Sequence, residues 1–263
     1  MLYLVKDGKT IFTDKTLVGT IGYATPVFSA DMKTIVFNPD WVAPPSVLED
    51  KLLPALRRKH YNIVKSNKLQ VSYQGKAVDP SKVDWNRVNI HNFTFTQKTG
   101  PTNVLGKAKF LYPNKHIVYM HDTLPYRRKV FKEKVRAIGY GCVRMEDPQR
   151  FAELLLAEDK EWPASKVKDL WDKGVNSAVT LDTPPPVHTT YFTAVVDEEG
   201  EVATFGDLYG LDRKMASALF GDTEGFPVPP PEPKQSQGSV ASAPSRHSGG
   251  GSGIASSLGF IDD

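Results

Sequence analysis

Cysteine is almost absent: Cys142 is the single one in 263 residues. That excludes an intrachain disulfide and any zinc or iron–sulfur site built from clustered thiolates; no metal site and no cofactor are expected. No apolar run approaches the roughly 20 residues that a membrane-spanning helix needs. A surplus of one charge sign is missing too, because 33 Lys+Arg oppose 30 Asp+Glu for a formal net charge of +3. Nucleic-acid binders concentrate basic surface, so none is expected as a partner. The amino terminus has no basic stretch, apolar core and cleavage site of the kind that directs secretion. Read literally, this is a cytoplasmic chain; the alternative is the carboxy-terminal part of something longer.

What is present is ordinary globular composition, 40% hydrophobic and 24% charged, enough to bury a sizeable core. Strands are expected at Leu2–Val5, Ile11–Gly19 and Ile35–Phe37, with Asp7-Gly8 as a hairpin turn. Residues 38–100 change character, opening on Pro39, Trp41, Pro44 and Pro45 and continuing into a basic helix around Val47–Lys59, with a turn at Gln74-Gly75. They read as an inserted subdomain, and the run Arg57-Arg58-Lys59-His60 as a solvated helix end. Strand character returns at Lys107–Leu111 and His116–Met120.

A helix follows at Pro148–Ala157, with Asp147 as N-cap, Pro148 in the first turn, and Phe151, Leu154 and Leu155 on one face. A second is expected from Ala164 to Lys173, with Val167, Leu170 and Trp171 inward and Gly174 closing it. Strands at Val187–Val196 and Glu201–Phe205 and a short helix at Met215–Phe220 complete an α+β, mainly β, domain over 1–226. Residues 227–263 are too poor in apolar side chains to offset their ordering entropy and read as a disordered Pro/Gly/Ser-rich tail.

A lone cysteine is more often an inert buried hydrophobe than a nucleophile. The setting of Cys142, in Gly139-Tyr140-Gly141-Cys142-Val143-Arg144, points the other way. Glycines permit a sharp turn and close approach of a carbonyl to backbone N–H groups, which can stabilise the oxyanion formed when sulfur attacks. A thiol needs a base, and histidine is the usual one. His121 closes the run His116-Ile117-Val118-Tyr119-Met120-His121. Strand alternation would put Ile117, Tyr119 and His121 on one face and His116 on the other.

These residues resemble the L,D-transpeptidases with a YkuD-type catalytic domain. His121-Asp122-Thr123 is similar to the first catalytic element, and Gly141-Cys142-Val143-Arg144 to the second. Further matches are Asn38-Pro39-Asp40-Trp41 with Pro44-Pro45-Ser46, Val83-Asp84-Trp85, Gly100-Pro101-Thr102-Asn103, Leu105-Gly106, Lys109-Phe110 and Asp207-Leu208-Tyr209-Gly210. They resemble the long-insert branch, in which a capsule-like helical lid subdomain interrupts the catalytic fold, here at 38–100. The sequence departs from the pattern at Tyr140, where a histidine usually precedes Gly-Cys. Tyr140 either shapes the pocket or packs beneath the turn, and packing is the expectation.

The resemblance implies a cysteine-dependent acyltransferase. Cys142 would attack the third-residue carbonyl of a peptidoglycan stem tetrapeptide, release D-alanine, and pass the acyl group from a thioester to a neighbouring stem as a 3→3 cross-link. His121 would be the acid–base catalyst, with backbone N–H groups of Gly141 and Cys142 as the oxyanion site. Tyr119, Arg144 and Tyr140 would bind substrate, although Arg144 could equally be held in an internal salt bridge; His188 is expected to be structural. The resemblance also implies carbapenem sensitivity and a periplasmic or cell-envelope location. Two readings compete with it: a cysteine peptidase or L,D-carboxypeptidase, and a non-catalytic wall-binding module.

Overall fold

The computed structural model describes residues 1–196 and 199–221. The tail expected from Pro227 lies outside the described residues. At the centre is a seven-stranded mixed sheet. Its spatial order is Ala137–Gly139, Thr16–Gly19, Val143–Met145, Met120–His121, Ala108–Leu111, Thr34–Phe37 and Ser177–Thr180. Met120–His121 runs parallel to Val143–Met145, whereas Ala108–Leu111 is antiparallel to both of its neighbours.

Alternation along these strands makes two unlike faces. Ile35, Phe37, Ala108, Phe110, Met120, Val143 and Met145 point to one side and are buried against Phe151, Ala152, Leu155 and Leu156 of the helix Pro148–Lys160 and against Val167 and Trp171 of the helix Ala164–Asp172. The rings of Phe110 and Phe151 meet edge to face at 5.1 Å. The first helix begins as its sequence dictates: the Asp147 carboxylate accepts from the Arg150 N–H at 3.1 Å and Pro148 occupies the first turn. It runs to Lys160, three residues beyond expectation, and ends on Glu161 in the left-handed conformation at φ 54°. Leu154 is only half-buried, and Ala152 and Leu156 take the inward positions beside Phe151 and Leu155.

The opposite face is polar. One transverse row of paired residues runs Val36, Lys109, His121, Arg144, Leu17, so three nitrogen bases lie side by side across adjacent strands. Over this face lies a second hydrophobic cluster, drawn from Trp41 through Leu105 and centred on Leu52, Leu56, Trp85, Ile90 and Phe95. Here the expected helical run exists as Pro45–Val47, a π turn at Leu48–Leu52 and Leu53–Arg57. It is joined by a four-stranded antiparallel sheet in the order Trp41–Val42, Phe93–Gln97, Leu69–Tyr73, Lys76–Ala77, whose hairpin turns at Gln74-Gly75 with both residues at positive φ.

Three expected strands are interrupted. Ile11–Gly19 divides into Lys9–Asp14 and Thr16–Gly19, and Val187–Val196 into Pro186–Thr189 and Ala194–Val196. The expected strand His116–Met120 is a strand only at Met120–His121. Its upstream part is a loop because the Asn114 amide satisfies the backbone that a strand partner would have needed. Its Oδ1 accepts from His116 and Val118 N–H at 3.0 and 3.2 Å, and its Nδ2 donates to the Val118 carbonyl at 2.7 Å. Such side-chain bonds compete with ladder pairing. Ile117 sits in this loop at φ 58° and is exposed.

Candidate active site

His121 and Cys142 reach the site from the two parallel strands, with Met120 opposite Val143 and His121 opposite Arg144. The Val143 N–H donates to the Tyr119 carbonyl at 3.1 Å, which carries the pairing one residue back and sets Tyr119 beside Cys142. Both His121 and Cys142 line a single cavity of about 160 Å³. His121 is buried at 4% exposure, and Cys142 is half-buried at the cavity wall. Tyr119, Tyr140 and Arg144 line it too, so the structure brings the sequence-named side chains together. His116 also lines it, and the expectation that it faces away is corrected: the Asn114 loop ends the alternation that placed it there. His188 does not line the cavity; its Nδ1 is 2.7 Å from the Ser29 hydroxyl.

The turn carrying the sulfur depends on two glycines. Gly141 has φ +97°, a region where a side chain is strained, although the space around it is open to ordinary contact. At Gly19 the limit is space, since a Cβ there would lie 1.7 Å from the Tyr23 carbonyl oxygen and 2.9 Å from the Gly141 nitrogen. This closeness lets the Thr25 hydroxyl tie the strands, accepting from the Gly19 N–H at 3.0 Å and donating to the Gly141 carbonyl at 2.9 Å. Tyr209 then donates to the Gly19 carbonyl at 2.7 Å, and the Tyr191 hydroxyl accepts from the Tyr209 N–H at 3.0 Å and donates to Asp207 at 2.8 Å. Thr25, Tyr191 and Tyr209 were not foreseen as parts of the site, and only the Asp207-Leu208-Tyr209-Gly210 match hinted at one of them.

The imidazole is fixed by its neighbour. His121 Nδ1 lies 2.6 Å from the Asp122 carbonyl; a carbonyl can only accept, so Nδ1 carries the hydrogen and Nε2 keeps the lone pair. Asp122 is itself locked, its carboxylate accepting from the N–H groups of Lys107 at 2.8 Å and Thr123 at 2.7 Å and pairing with Arg128 at 2.9 Å. Gly106 makes room for that carboxylate, for a Cβ there would come within 2.3 Å of it.

Burial, then the Arg144 and Lys109 charges, hold the His121 pKa down at about 3, so the ring is neutral at physiological pH and able to take a proton. Burial pushes the Cys142 thiol up, opposed by the main-chain N–H and hydroxyl of Tyr119 and by the Lys109 and Arg144 cations. The resting pair is therefore thiol and neutral imidazole. Lys109, which the sequence reading did not assign to the site, stands 4.0 Å over the Tyr119 ring. The Trp41 side chain hydrogen-bonds Tyr119.

Tyr140 packs its ring on Tyr23 at 4.5 Å, and Tyr23 donates its hydroxyl to Asp50. The cavity lining includes Lys51, Arg127 and Arg144 and no carboxylate. The internal salt bridge considered for Arg144 is not found among the described residues. Nor do those residues include a group of three or more His, Cys, Asp and Glu side chains placed to hold a metal ion, and no helix among them is long and apolar enough to cross a membrane.

Residues 1–176 match the YkuD family, the L,D-transpeptidase catalytic domain. An L,D-transpeptidase-type protein of Haemophilus influenzae is 31% identical over 215 residues, which are 81% of this chain and 43% of that relative. The chain thus spans somewhat less than half the length of the curated relative it matches.

Proposed function

The chain belongs to the YkuD-type L,D-transpeptidases, and we propose that it forms 3→3 cross-links between peptidoglycan stems through a thioester on Cys142. The observation that carries this reading is a neutral imidazole and a thiol lining one cavity, with the imidazole tautomer set by the Asp122 carbonyl so that Nε2 is the free base. His121 takes the thiol proton as the sulfur attacks the carbonyl of the third stem residue. Oxygen gathers negative charge, which the N–H groups of Gly141 and Cys142 stabilise; losing one such donor typically costs about 3 kcal/mol of transition-state stabilisation. The carbon–nitrogen bond breaks, the same proton passes from His121 to the departing D-alanine amine, and a thioester remains. An acceptor amine then attacks the thioester, gives its proton to His121, and returns the sulfur, which recovers that proton.

Lys109 and Tyr119 lower the cost of the thiolate during attack. The insertion at 38–100 acts as a lid: Trp41, Pro44, Pro45 and Val47 wall the cavity with apolar surface, which limits hydrolysis of the thioester by water. Peptidoglycan as substrate places the working enzyme in the periplasm or cell envelope.

Incubation with a tetrapeptide donor and acceptor should yield 3→3 dimers, and a carbapenem should add covalently to the protein by mass spectrometry. Both signals should vanish in Cys142→Ala. Dimers that persist in that variant would end the proposal, and release of D-alanine without dimers would mark a carboxypeptidase instead.

A further inference from the structure

The acceptor half of the reaction sheds one proton more than His121 takes up. An aliphatic amine, with an ordinary pKa of about 10.4, arrives at neutral pH as an ammonium. An ammonium has no lone pair, so it must lose one proton before attack and a second as the new carbon–nitrogen bond forms. His121 takes the second and returns it to sulfur. The first needs another base, one that can pass the proton on to water.

His116 has the properties of that base and no part in the steps given above. Its side chain lines the same cavity as Cys142 and His121. The bond from the Val143 N–H to the Tyr119 carbonyl sets Tyr119 level with Cys142. His121 comes two residues after that level and the loop bearing His116 comes before it, so the segments that carry the two imidazoles flank the sulfur. The loop stands close, with the Ile117 carbonyl 4.0 Å from the Cys142 Sγ. The Asn114 side chain holds it there by accepting from the His116 N–H at 3.0 Å, and the imidazole lies against the Phe28 ring with centroids 5.2 Å apart. Neither ring nitrogen hydrogen-bonds a described residue. His116 is half-buried, so its ring can release a proton to solvent, whereas His121 is buried.

Charge supports the same assignment. Lys51, Arg127 and Arg144 line the cavity with His116, and no Asp or Glu does among the described residues. The other titratable groups that line it are Tyr119, Tyr140, His121 and Cys142. Desolvation, then the charge of the adjoining Lys115, hold the His116 pKa below its ordinary value, so the ring is neutral at physiological pH and able to accept. The cavity cations also disfavour an ammonium, which brings the pKa of the amine down toward that of the imidazole.

We infer that His116 is the base that takes the first proton from the acceptor ammonium, leaving His121 to serve the bond-making and bond-breaking steps. This rests on the transpeptidase reading above. The ammonium N–H bond breaks, its electron pair stays on nitrogen as the nucleophilic lone pair, and the proton passes to a His116 ring nitrogen and on to water.

The test begins with the acyl-enzyme, formed by rapid mixing of the full chain with a tetrapeptide donor. Its transfer to a subsaturating acceptor tetrapeptide is followed by mass spectrometry from pH 7 to pH 8. With His116 as the base the ammonium itself is a substrate, so the transfer rate should change less than threefold over this range. Attack by amine already neutral in solution would instead climb about tenfold per pH unit, because the range lies well below the amine pKa. His116→Gln should transfer at least tenfold more slowly at pH 7, climb about tenfold by pH 8 and so narrow the gap, while forming the acyl-enzyme as fast as the unaltered protein. Hydroxylamine, an acceptor that is largely neutral at pH 7, should be used equally by both proteins. Thermal melting checks that the variant folds. A tenfold climb in the unaltered protein, a measurement that needs no variant, would overturn the assignment and leave the transpeptidase reading intact. So would a flat profile that persists in folded His116→Gln. Absence of an acyl-enzyme, or of its transfer to any acceptor, in the unaltered protein would overturn both.

Discussion

His121 and Arg144 are direct partners across two parallel strands, so the proposed base and a permanent cation share one row of the sheet. Lys109 completes the row on the other side of His121. The arrangement penalises imidazolium and favours thiolate, and burial counters the second effect. Proton transfer therefore starts from a neutral pair, and each charge in the row has a predictable effect on it.

Acid should destabilise the fold through His121. Its folded-state pKa is depressed to about 3, against about 6.5 in an unfolded chain. Between these values the unfolded state binds the proton and the folded state does not, so stability falls as pH drops from about 6.5 toward 3. Above 6.5 this contribution is fully present. Denaturant unfolding at pH 7 and pH 4.5 should show a smaller loss for His121→Gln than for the unaltered protein; an equal loss would mean that other groups govern the acid response.

Lys109→Met removes one cation from the row. Without it imidazolium costs less and thiolate costs more, so the His121 pKa and the Cys142 pKa should both rise. Iodoacetamide alkylation of Cys142 followed against pH reports the second shift directly, and imidazole NMR reports the first. A fall in the thiol pKa would contradict the electrostatic account.

Gly141→Ala keeps the space and strains the backbone, because φ +97° disfavours any side chain. The expected loss is about 1–3 kcal/mol of stability, with a larger loss of activity because the strain sits beside Cys142. Gly19→Ala should do more damage, since its Cβ would overlap the Tyr23 carbonyl. Paired thermal melts and carbapenem acylation rates test that ranking.

Thr25→Val deletes the hydroxyl that joins the Gly19 N–H to the Gly141 carbonyl. Two buried backbone groups lose their partner, at about 1–3 kcal/mol each. Thr25→Ser retains both bonds and should melt close to the unaltered protein. If Val and Ser variants acylate at the same rate, Thr25 does not position the nucleophile turn.

Much of the site was legible in the linear chain because its signals are local. A cysteine directly after a Gly-Tyr-Gly run, a histidine at a strand end, and a helix announced by Asp147-Pro148 are all patterns within a few residues. Other features were hidden for a physical reason. Asn114 ends the expected strand by bonding backbone groups two and four residues away, an alternative that side-chain alternation alone does not reveal. Tyr140 gave no indication of its ring contact with Tyr23, because 117 positions separate them in sequence and contact depends on the fold.

The order of residues alone determined which groups are available: one thiol, one histidine poised at a polar turn, and glycines where the backbone must bend. Tertiary structure decided the electrostatics. Strand register set Lys109 and Arg144 on either side of His121, and burial of His121 weakens the screening of those charges by water. A chain's sequence supplies the charges, but their separation and the medium between them, which fix their energy, exist only once distant strands are paired.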